Sequence, residues 1–216
     1  VESDFIRIER GISRINLKLK SIDGTEINGA GPDISPERVE ELMEKLDSLK
    51  EGDVLFLAGS IPASMPDDMY ERIMKRLEGR GVMTVVDATK DLLVKVLKYH
   101  PFLVKPNNHE LGEIFGVELK TREDVVPYGK KLQEMGAENV LISMAGEGAV
   151  LIAANGQVYK KPVPTGTLVN GVGAGDSMVA GFMAGWMEKQ DHEYAFHMGI
   201  SAGSASAFSE NLATRE

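Results

Sequence analysis

Residues 53–58 have the sequence Asp-Val-Leu-Phe-Leu-Ala, an apolar run as long as one β-strand. A helix is predicted before this run, starting at Ser35-Pro36 and continuing to about residue 49. A second predicted helix, over about residues 66–77, follows the run and leads to another apolar run at residues 82–87. Apolar strands separated by amphipathic helices are typical of a parallel sheet that is covered on both faces.

The same alternation continues to the end of the chain. We predict further helices at about 91–98, from 107, at 121–135, 174–189 and 191–210, and further strands at 102–105, 140–143, 149–154 and 157–160. This order predicts an α/β fold with a mostly parallel sheet. Ligands bind such sheets beyond the carboxyl ends of the strands.

The first thirty residues have a different pattern. Polar and apolar residues alternate from Arg14 to Lys20, which places Ile15, Leu17 and Leu19 on one face. Turn residues at 21–25 and a short strand near 26–28 complete a small antiparallel ribbon over residues 5–29. We therefore divide the chain into a β-ribbon segment, residues 1–30, and an α/β core, residues 31–216. So small a ribbon cannot cover its own apolar face, which predicts a homodimer in which two ribbons pack together.

The composition excludes several classes of protein. The 216 residues include 24 Lys and Arg against 33 Asp and Glu, a net charge of −9, which disfavours non-specific binding to nucleic acid or to an anionic membrane. The absence of cysteine excludes disulfides, thiolate metal sites and cysteine nucleophiles, and it fits a reducing compartment such as the cytoplasm. No apolar run approaches the ~18–20 residues that a membrane helix needs.

The strongest local signal is the stretch Asn170-Gly171-Val172-Gly173-Ala174-Gly175-Asp176-Ser177, which opens a predicted helix. Glycines at a helix start expose backbone N–H groups to an anion, and the helix dipole favours negative charge there. Asp176 would be placed to accept a proton from an attacking hydroxyl. Alternatively, Asp176 only complements the dipole and the glycines only allow tight packing. The dinucleotide motif G-x-G-x-x-G and the P-loop are both absent.

Three other segments carry candidate residues at strand ends. Lys105 precedes Asn107 and Glu110, which could form a helix capping box or lie near a hydrated Mg²⁺ that bridges nucleotide phosphates. Residues 143–148 form a glycine-containing turn, and Ser60 could bind a sugar or phosphate or cap a turn. Arg14 could be a solvated strand charge, and all four histidines are interpreted as structural because none has ligand spacing.

Read together, residues 58–62, 105–110, 143–148 and 173–176 resemble the ribokinase-like carbohydrate kinases of the PfkB type. This resemblance covers essentially the whole chain and implies a three-layer α/β/α core with a mostly parallel sheet and a small β-sheet lid. It implies that Asp176 is the catalytic base and that the amides of Gly173, Ala174 and Gly175 form the anion hole. Arg14 and Ser60 would bind the substrate, with Asp176. The implied ATP and Mg²⁺ site consists of Lys105, Asn107, Glu110, Ser143, Gly146, Glu147, Gly148 and Gly175, with Asn107 and Glu110 reaching the metal through water.

Residues 13–20, 27–35 and 173–178 most resemble the family members that phosphorylate fructose 1-phosphate at O6 with MgATP. A tagatose-6-phosphate kinase and a non-catalytic nucleotide-binding or dimerising module of the same fold are the alternatives. Family members usually have Asp or Ser followed by Thr where this chain has Asn170 and Gly171. The family's N-terminal Gly-Gly-Lys-Gly-x-Asn segment and its C-terminal end are not in this chain, so we expect these residues alone to be inactive or poorly folded.

Overall fold

The computed structural model describes residues 2–18, 26–88 and 90–214. The chain forms two compact units, Val1–Thr84 and Val85–Glu216. Each unit is described separately below. Within the described residues, no helix combines the length and the apolar character needed to cross a membrane.

The first unit contains the predicted ribbon and the first repeats of the strand–helix alternation. Its elements are β1 (Asn16–Lys18), β2 (Glu26–Asn28), α1 (Pro36–Leu46), β3 (Val54–Ala58), α2 (Met69–Leu77) and the start of β4 (Met83–Asp87). Strand β4 begins beside β3, because the Met83 N–H donates to the Asp53 carbonyl at 2.8 Å. Helix α1 ends three residues earlier than predicted, and the carboxylate of Asp47 after it binds Arg76 and Arg80.

The ribbon is antiparallel, as predicted, with Leu17 opposite Ile27. Its apolar side chains are exposed in this chain: Ile15 by 67%, Leu17 by 50% and Ile27 by 56%. The predicted turn at 21–25 and the predicted apolar residue Leu19 lie outside the described residues. The apolar face that motivated the predicted homodimer is therefore present on the described part of the ribbon.

The second unit holds the rest of β4 and most of the helices. Its further elements are α3 (Lys90–Val96), β5 (Leu103–Val104), α4 (Asn108–Phe115), α5 (Arg122–Glu134), β6 (Asn139–Ser143), β7 (Ala149–Ile152), β8 (Val158–Lys161), α6 (Ala174–Lys189) and α7 (His192–Ala207). The strand order within this unit is β4-β5-β6-β7-β8. Strands β4, β5 and β6 are parallel, whereas β7 and β8 form an antiparallel hairpin. The mostly parallel α/β sheet is confirmed.

Besides α1, strand β5 and helix α7 are shorter than the sequence pattern predicts. Strand β5 has only two residues, because Pro106 has no N–H to continue the pairing after Lys105. Helix α7 ends at Ala207 rather than near residue 210, since the Ala207 carbonyl accepts the N–H groups of Val169 and Asn170 instead of continuing the helix. The first difference has a local cause in the sequence, whereas the second arises from a contact with a distant part of the chain.

Candidate active site

An ion pair lies at the carboxyl ends of two neighbouring parallel strands of the second unit. Asp87 is the last residue of β4, and Lys105 follows β5 directly. The Lys105 side chain is only 8% exposed, and its Nζ lies 3.2 Å from Asp87 Oδ1. A buried ammonium requires a partner of opposite charge, which Asp87 supplies.

The N-terminus of α6 lies beside this ion pair. A Cβ atom placed on Gly175 would lie 3.4 Å from the Lys105 Nζ, so the ammonium is close to the first turn of the helix. Gly173 is the N-cap and has a φ of 79°, a conformation that glycine adopts without strain. A Cβ atom at Gly173 would also lie 2.5 Å from the Leu212 Cδ2. The glycine is therefore required at 173 for both its conformation and its close packing.

The backbone amides of this turn have the arrangement that anion binding requires. Ala174, Gly175 and Asp176 are the first three helical residues, whose N–H groups have no acceptor within an α-helix. The Ala174 N–H donates to the Gly171 carbonyl at 3.3 Å, a long hydrogen bond that a stronger acceptor could replace. The side chain of Asp176 is exposed. A carboxylate open to solvent at a helix N-terminus is accessible to a substrate hydroxyl.

The Asp87 carboxylate is affected by its burial and by three charged neighbours, Lys105, Glu110 and Asp176. Burial raises the pKa of Asp87, and the charges of Asp176 and Glu110 raise it further, while Lys105 opposes this shift. The charges of Lys105, Glu110 and Asp176 thus all act on the Asp87 carboxylate. Sequence reasoning missed Asp87. Its position could have indicated it, because Asp87 ends one apolar strand and Lys105 follows the next strand along the chain.

The segment after Lys105 forms the capping box predicted for the start of α4. The Glu110 N–H donates to Asn107 Oδ1 at 2.8 Å, and the Asn107 N–H donates to Glu110 Oε2 at 2.8 Å. Asn107 also forms a parallel bridge with Ser143, whose N–H donates to the Pro106 carbonyl at 3.2 Å. The predicted residues Asn107, Glu110 and Ser143 are therefore neighbours. No group of three or more His, Asp or Glu side chains suited to a metal ion occurs in the described ranges.

The connection between β6 and β7 contains the other candidate nucleotide residues. Gly146 and Glu147 are exposed in a short 3-10 turn, and Gly148 is buried. A Cβ atom at Gly148 would lie 2.1 Å from the Lys161 carbonyl oxygen, so the turn requires glycine there for structural reasons. The turn is further held by Arg122, which donates to the Glu147 carbonyl. Its contact with a nucleotide stays a prediction.

In the first unit, the structure brings together the two residues predicted to bind substrate. The Arg14 guanidinium donates to the Ser60 hydroxyl, and both side chains are exposed. These residues are 46 positions apart in the chain. The contact supports treating them as one cationic, hydroxyl-bearing surface.

Two of the four histidines, His192 and His100, have neighbours that fit structural roles. The His192 ring packs on the only tryptophan, Trp186, with ring centroids 4.6 Å apart. His192 Nε2 is buried without a hydrogen-bond partner, and burial lowers the pKa of this histidine. His100 Nδ1 lies 3.1 Å from the Gly136 carbonyl oxygen.

Comparisons with known proteins agree with this geometry. The sequence model of the family described as "pfkB family carbohydrate kinase" matches residues 1–215. The chain is 52% identical to 1-phosphofructokinase from Bacillus subtilis over 207 residues, which cover 96% of this chain and 68% of the relative. It is 35% identical to D-tagatose-1-phosphate kinase from Bacillus licheniformis over 213 residues, covering 98% of this chain and 69% of the relative.

A solved structure is also similar. A Staphylococcus aureus protein crystallised as a candidate phosphofructokinase superposes with a TM-score of 0.81 at 40% identity. The match covers 88% of this chain and 62% of that protein. The chain thus spans roughly two thirds of the length of the proteins it matches.

Proposed function

Because the chain belongs to the pfkB family of carbohydrate kinases, we propose that it transfers the γ-phosphoryl group of ATP to O6 of fructose 1-phosphate, giving fructose 1,6-bisphosphate. Its fold is that of the ribokinase-like kinases. The observation that carries the proposal is the exposed carboxylate of Asp176 in the first turn of α6, the same turn that approaches the Lys105 ammonium.

Asp176 acts as the base in this proposal. The sugar O6 forms a bond to the γ-phosphorus while the bond from that phosphorus to the bridging oxygen of ADP breaks. The hydroxyl proton passes to the Asp176 carboxylate. The exposure of the side chain supports this role because a base must lie within hydrogen-bond reach of the proton that it accepts.

The amides of Gly173, Ala174 and Gly175 stabilise the negative charge on the transferring group. Donors that are already oriented toward a developing charge do not have to reorganise during the reaction. The Ala174 N–H would exchange its long hydrogen bond to Gly171 for one to a phosphoryl oxygen. The Lys105 ammonium adds positive charge beside Gly175.

ATP and Mg²⁺ are the proposed cofactors, and the donor groups at the start of α4 fit a hydrated Mg²⁺. Carboxylate and amide oxygens are the ligands that this hard cation prefers, and it usually keeps several waters. One Glu110 oxygen accepts the Asn107 N–H, so the other remains available to a metal-bound water. Such an ion would neutralise charge on the nucleotide phosphates. We assign Lys105, Ser143, Gly146, Glu147, Gly148 and Gly175 to the nucleotide site, and Asn107 and Glu110 to the metal through water.

Arg14 and Ser60 are proposed to bind the phosphate group of the sugar. A guanidinium forms strong charge-assisted hydrogen bonds with phosphate. The chain carries net negative charge, so an anionic substrate requires a local cation of this kind. The existing contact between Arg14 and Ser60 holds the guanidinium at the surface, where a ligand can reach it.

A tagatose phosphate is the competing substrate, because one relative at 35% identity is a D-tagatose-1-phosphate kinase. The 52% identity to a 1-phosphofructokinase favours fructose 1-phosphate.

We also propose that the protein is cytoplasmic and dimerises through the exposed apolar face of the ribbon, Ile15, Leu17 and Ile27. Burying three such side chains between two ribbons would stabilise both.

The test measures ADP release with fructose 1-phosphate, fructose 6-phosphate, tagatose 1-phosphate and tagatose 6-phosphate, in the full-length gene product that carries this chain. We expect kcat/KM to be highest for fructose 1-phosphate. A higher value for a tagatose phosphate would overturn the substrate assignment. The absence of turnover on all four sugars, with ATP still bound, would favour a non-catalytic module.

A further inference from the structure

The glycine turn at the start of α6 is attached to the segment that follows α7, and Asn170 contributes to this attachment through both its backbone and its side chain. Asn170 Nδ2 donates to the Glu210 carbonyl at 2.9 Å, and the Asn170 N–H donates to the Ala207 carbonyl at 3.0 Å. Asn170 Oδ1 accepts the Val172 N–H at 3.1 Å. A single residue therefore links the turn to both ends of residues 207–210.

The amino acid after Asn170 does not hold the turn by itself. A Cβ atom at Gly171 would have no neighbour within 4 Å, so no packing restricts this position. Glycine also has more conformational freedom than any other residue. The turn that carries the proposed anion hole thus begins with a residue that side-chain packing does not restrain, and its geometry depends on backbone hydrogen bonds and on the residues on either side.

The segment after α7 is itself fixed against the same helix start. Leu212 lies against Gly173, as the 2.5 Å approach of a Cβ atom shows. The Ser177 and Ser206 hydroxyls are 2.8 Å apart, and the Ala213 N–H donates to Ser206 Oγ at 3.2 Å. Residues 206–213 therefore form a support for the turn, which we call the α7 support.

We propose that Asn170 is a positioning residue: it fixes the glycine turn on the α7 support so that the amides of residues 173–175 face the transferring phosphoryl group. This inference rests on the proposed kinase function. It assigns to the side-chain amide a role that neither an aspartate nor a serine at position 170 could fill. An ionised aspartate cannot donate to the Glu210 carbonyl, and a serine side chain has a single oxygen to serve both partners.

The test compares Asn170→Ala and Asn170→Asp with a matched control, Asn155→Ala. Asn155 is also followed by glycine, and its Oδ1 accepts the N–H two residues later, from Gln157 at 3.0 Å, but it lies in the turn between β7 and β8. The control therefore removes the same local hydrogen bond away from α6. Steady-state kinetics and thermal unfolding are measured for all three variants in the full-length gene product.

We expect kcat to fall about 10-fold to 100-fold in both Asn170 variants, because misplacing reacting groups by about 1 Å can cost that much. The KM for fructose 1-phosphate should change less than about twofold, because Asn170 does not contact substrate. Asn170→Asp should not rescue activity, since its carboxylate would face the Glu210 carbonyl without a proton to donate. The Asn155→Ala control should keep the parental kcat.

Three results would overturn the inference: a parental kcat in Asn170→Ala, an equal loss in Asn155→Ala, or a loss of kcat that disappears when rates are corrected for the folded fraction. Failure of the proposed function would look different, because the parental protein itself would then show no sugar-dependent ADP release.

Discussion

The buried ion pair between Asp87 and Lys105 offers a test of how this site is held together. We predict that Asp87→Ala lowers the free energy of unfolding by about 2–3 kcal/mol. Removing one partner of a fully buried pair costs about 3–5 kcal/mol, because the remaining charge is left in the interior without a partner. The value here is smaller because the Asp87 side chain is 22% exposed, so the pair is not fully buried.

The chain provides a matched control for this measurement. Lys160 Nζ and Glu123 Oε1 are also 3.2 Å apart, but their side chains are 36% and 72% exposed. Exposed pairs of this kind contribute little to stability because water screens the charges. Glu123→Ala should therefore leave the unfolding free energy unchanged within the error of the experiment.

The assay is equilibrium unfolding in urea, with the slope compared between variants so that a changed unfolded state is recognised. The double variant Asp87→Ala, Lys105→Met should recover most of the lost stability, because it removes the unpaired charge as well. Equal effects of Asp87→Ala and Glu123→Ala would refute the reasoning. So would a double variant that is less stable than Asp87→Ala alone.

Three further changes test other parts of the account. Gly171→Ala should raise the free energy of unfolding by about 0.4–1 kcal/mol, because an added Cβ would meet no atom within 4 Å and alanine lowers the conformational entropy of the unfolded chain. A fall in melting temperature would contradict this prediction. Arg14→Met should raise the KM for fructose 1-phosphate about 10-fold to 100-fold, because a charge-assisted hydrogen bond contributes about 1.5–3 kcal/mol. The KM for ATP should stay constant. Equal changes in both KM values would argue against a contact between Arg14 and the sugar phosphate. Burial lowers the pKa of His192, so the unfolded chain binds a proton at this residue more readily than the folded protein does. The free energy of unfolding should therefore be highest above pH ~6.5 and fall as the pH drops below it. His192→Phe should flatten this pH dependence, whereas His109→Gln, a control at an exposed histidine, should not.

The fold could be predicted from the sequence wherever local pattern and tertiary environment agree. Helix α6 begins and ends where the sequence predicts, because the glycine turn before Ala174 and the polar residues after Lys189 are local signals. The end of α7 was predicted too late because its cause is distant: the Ala207 carbonyl binds residues 169 and 170. Hydrogen bonds between remote segments leave no periodic pattern in the sequence.

The site shows the same division between local and remote causes. The capping box of Asn107 and Glu110 was predicted because the two residues lie within one helical turn. Asp87 was missed because its role in the site depends on the neighbouring strand β5, which places Lys105 beside it. The contact between Arg14 and Ser60 likewise requires the fold, since 46 positions separate them and neither residue alone indicates the other.

The central claim is that the carboxylate of Asp176 removes the proton from the sugar hydroxyl. The most direct measurement is kcat for Asp176→Asn in the full-length gene product, together with ATP affinity measured by titration. We predict that kcat falls about 10²-fold to 10⁴-fold, the usual contribution of a general base, while ATP affinity stays nearly unchanged. A kcat close to that of the parental protein would contradict the account.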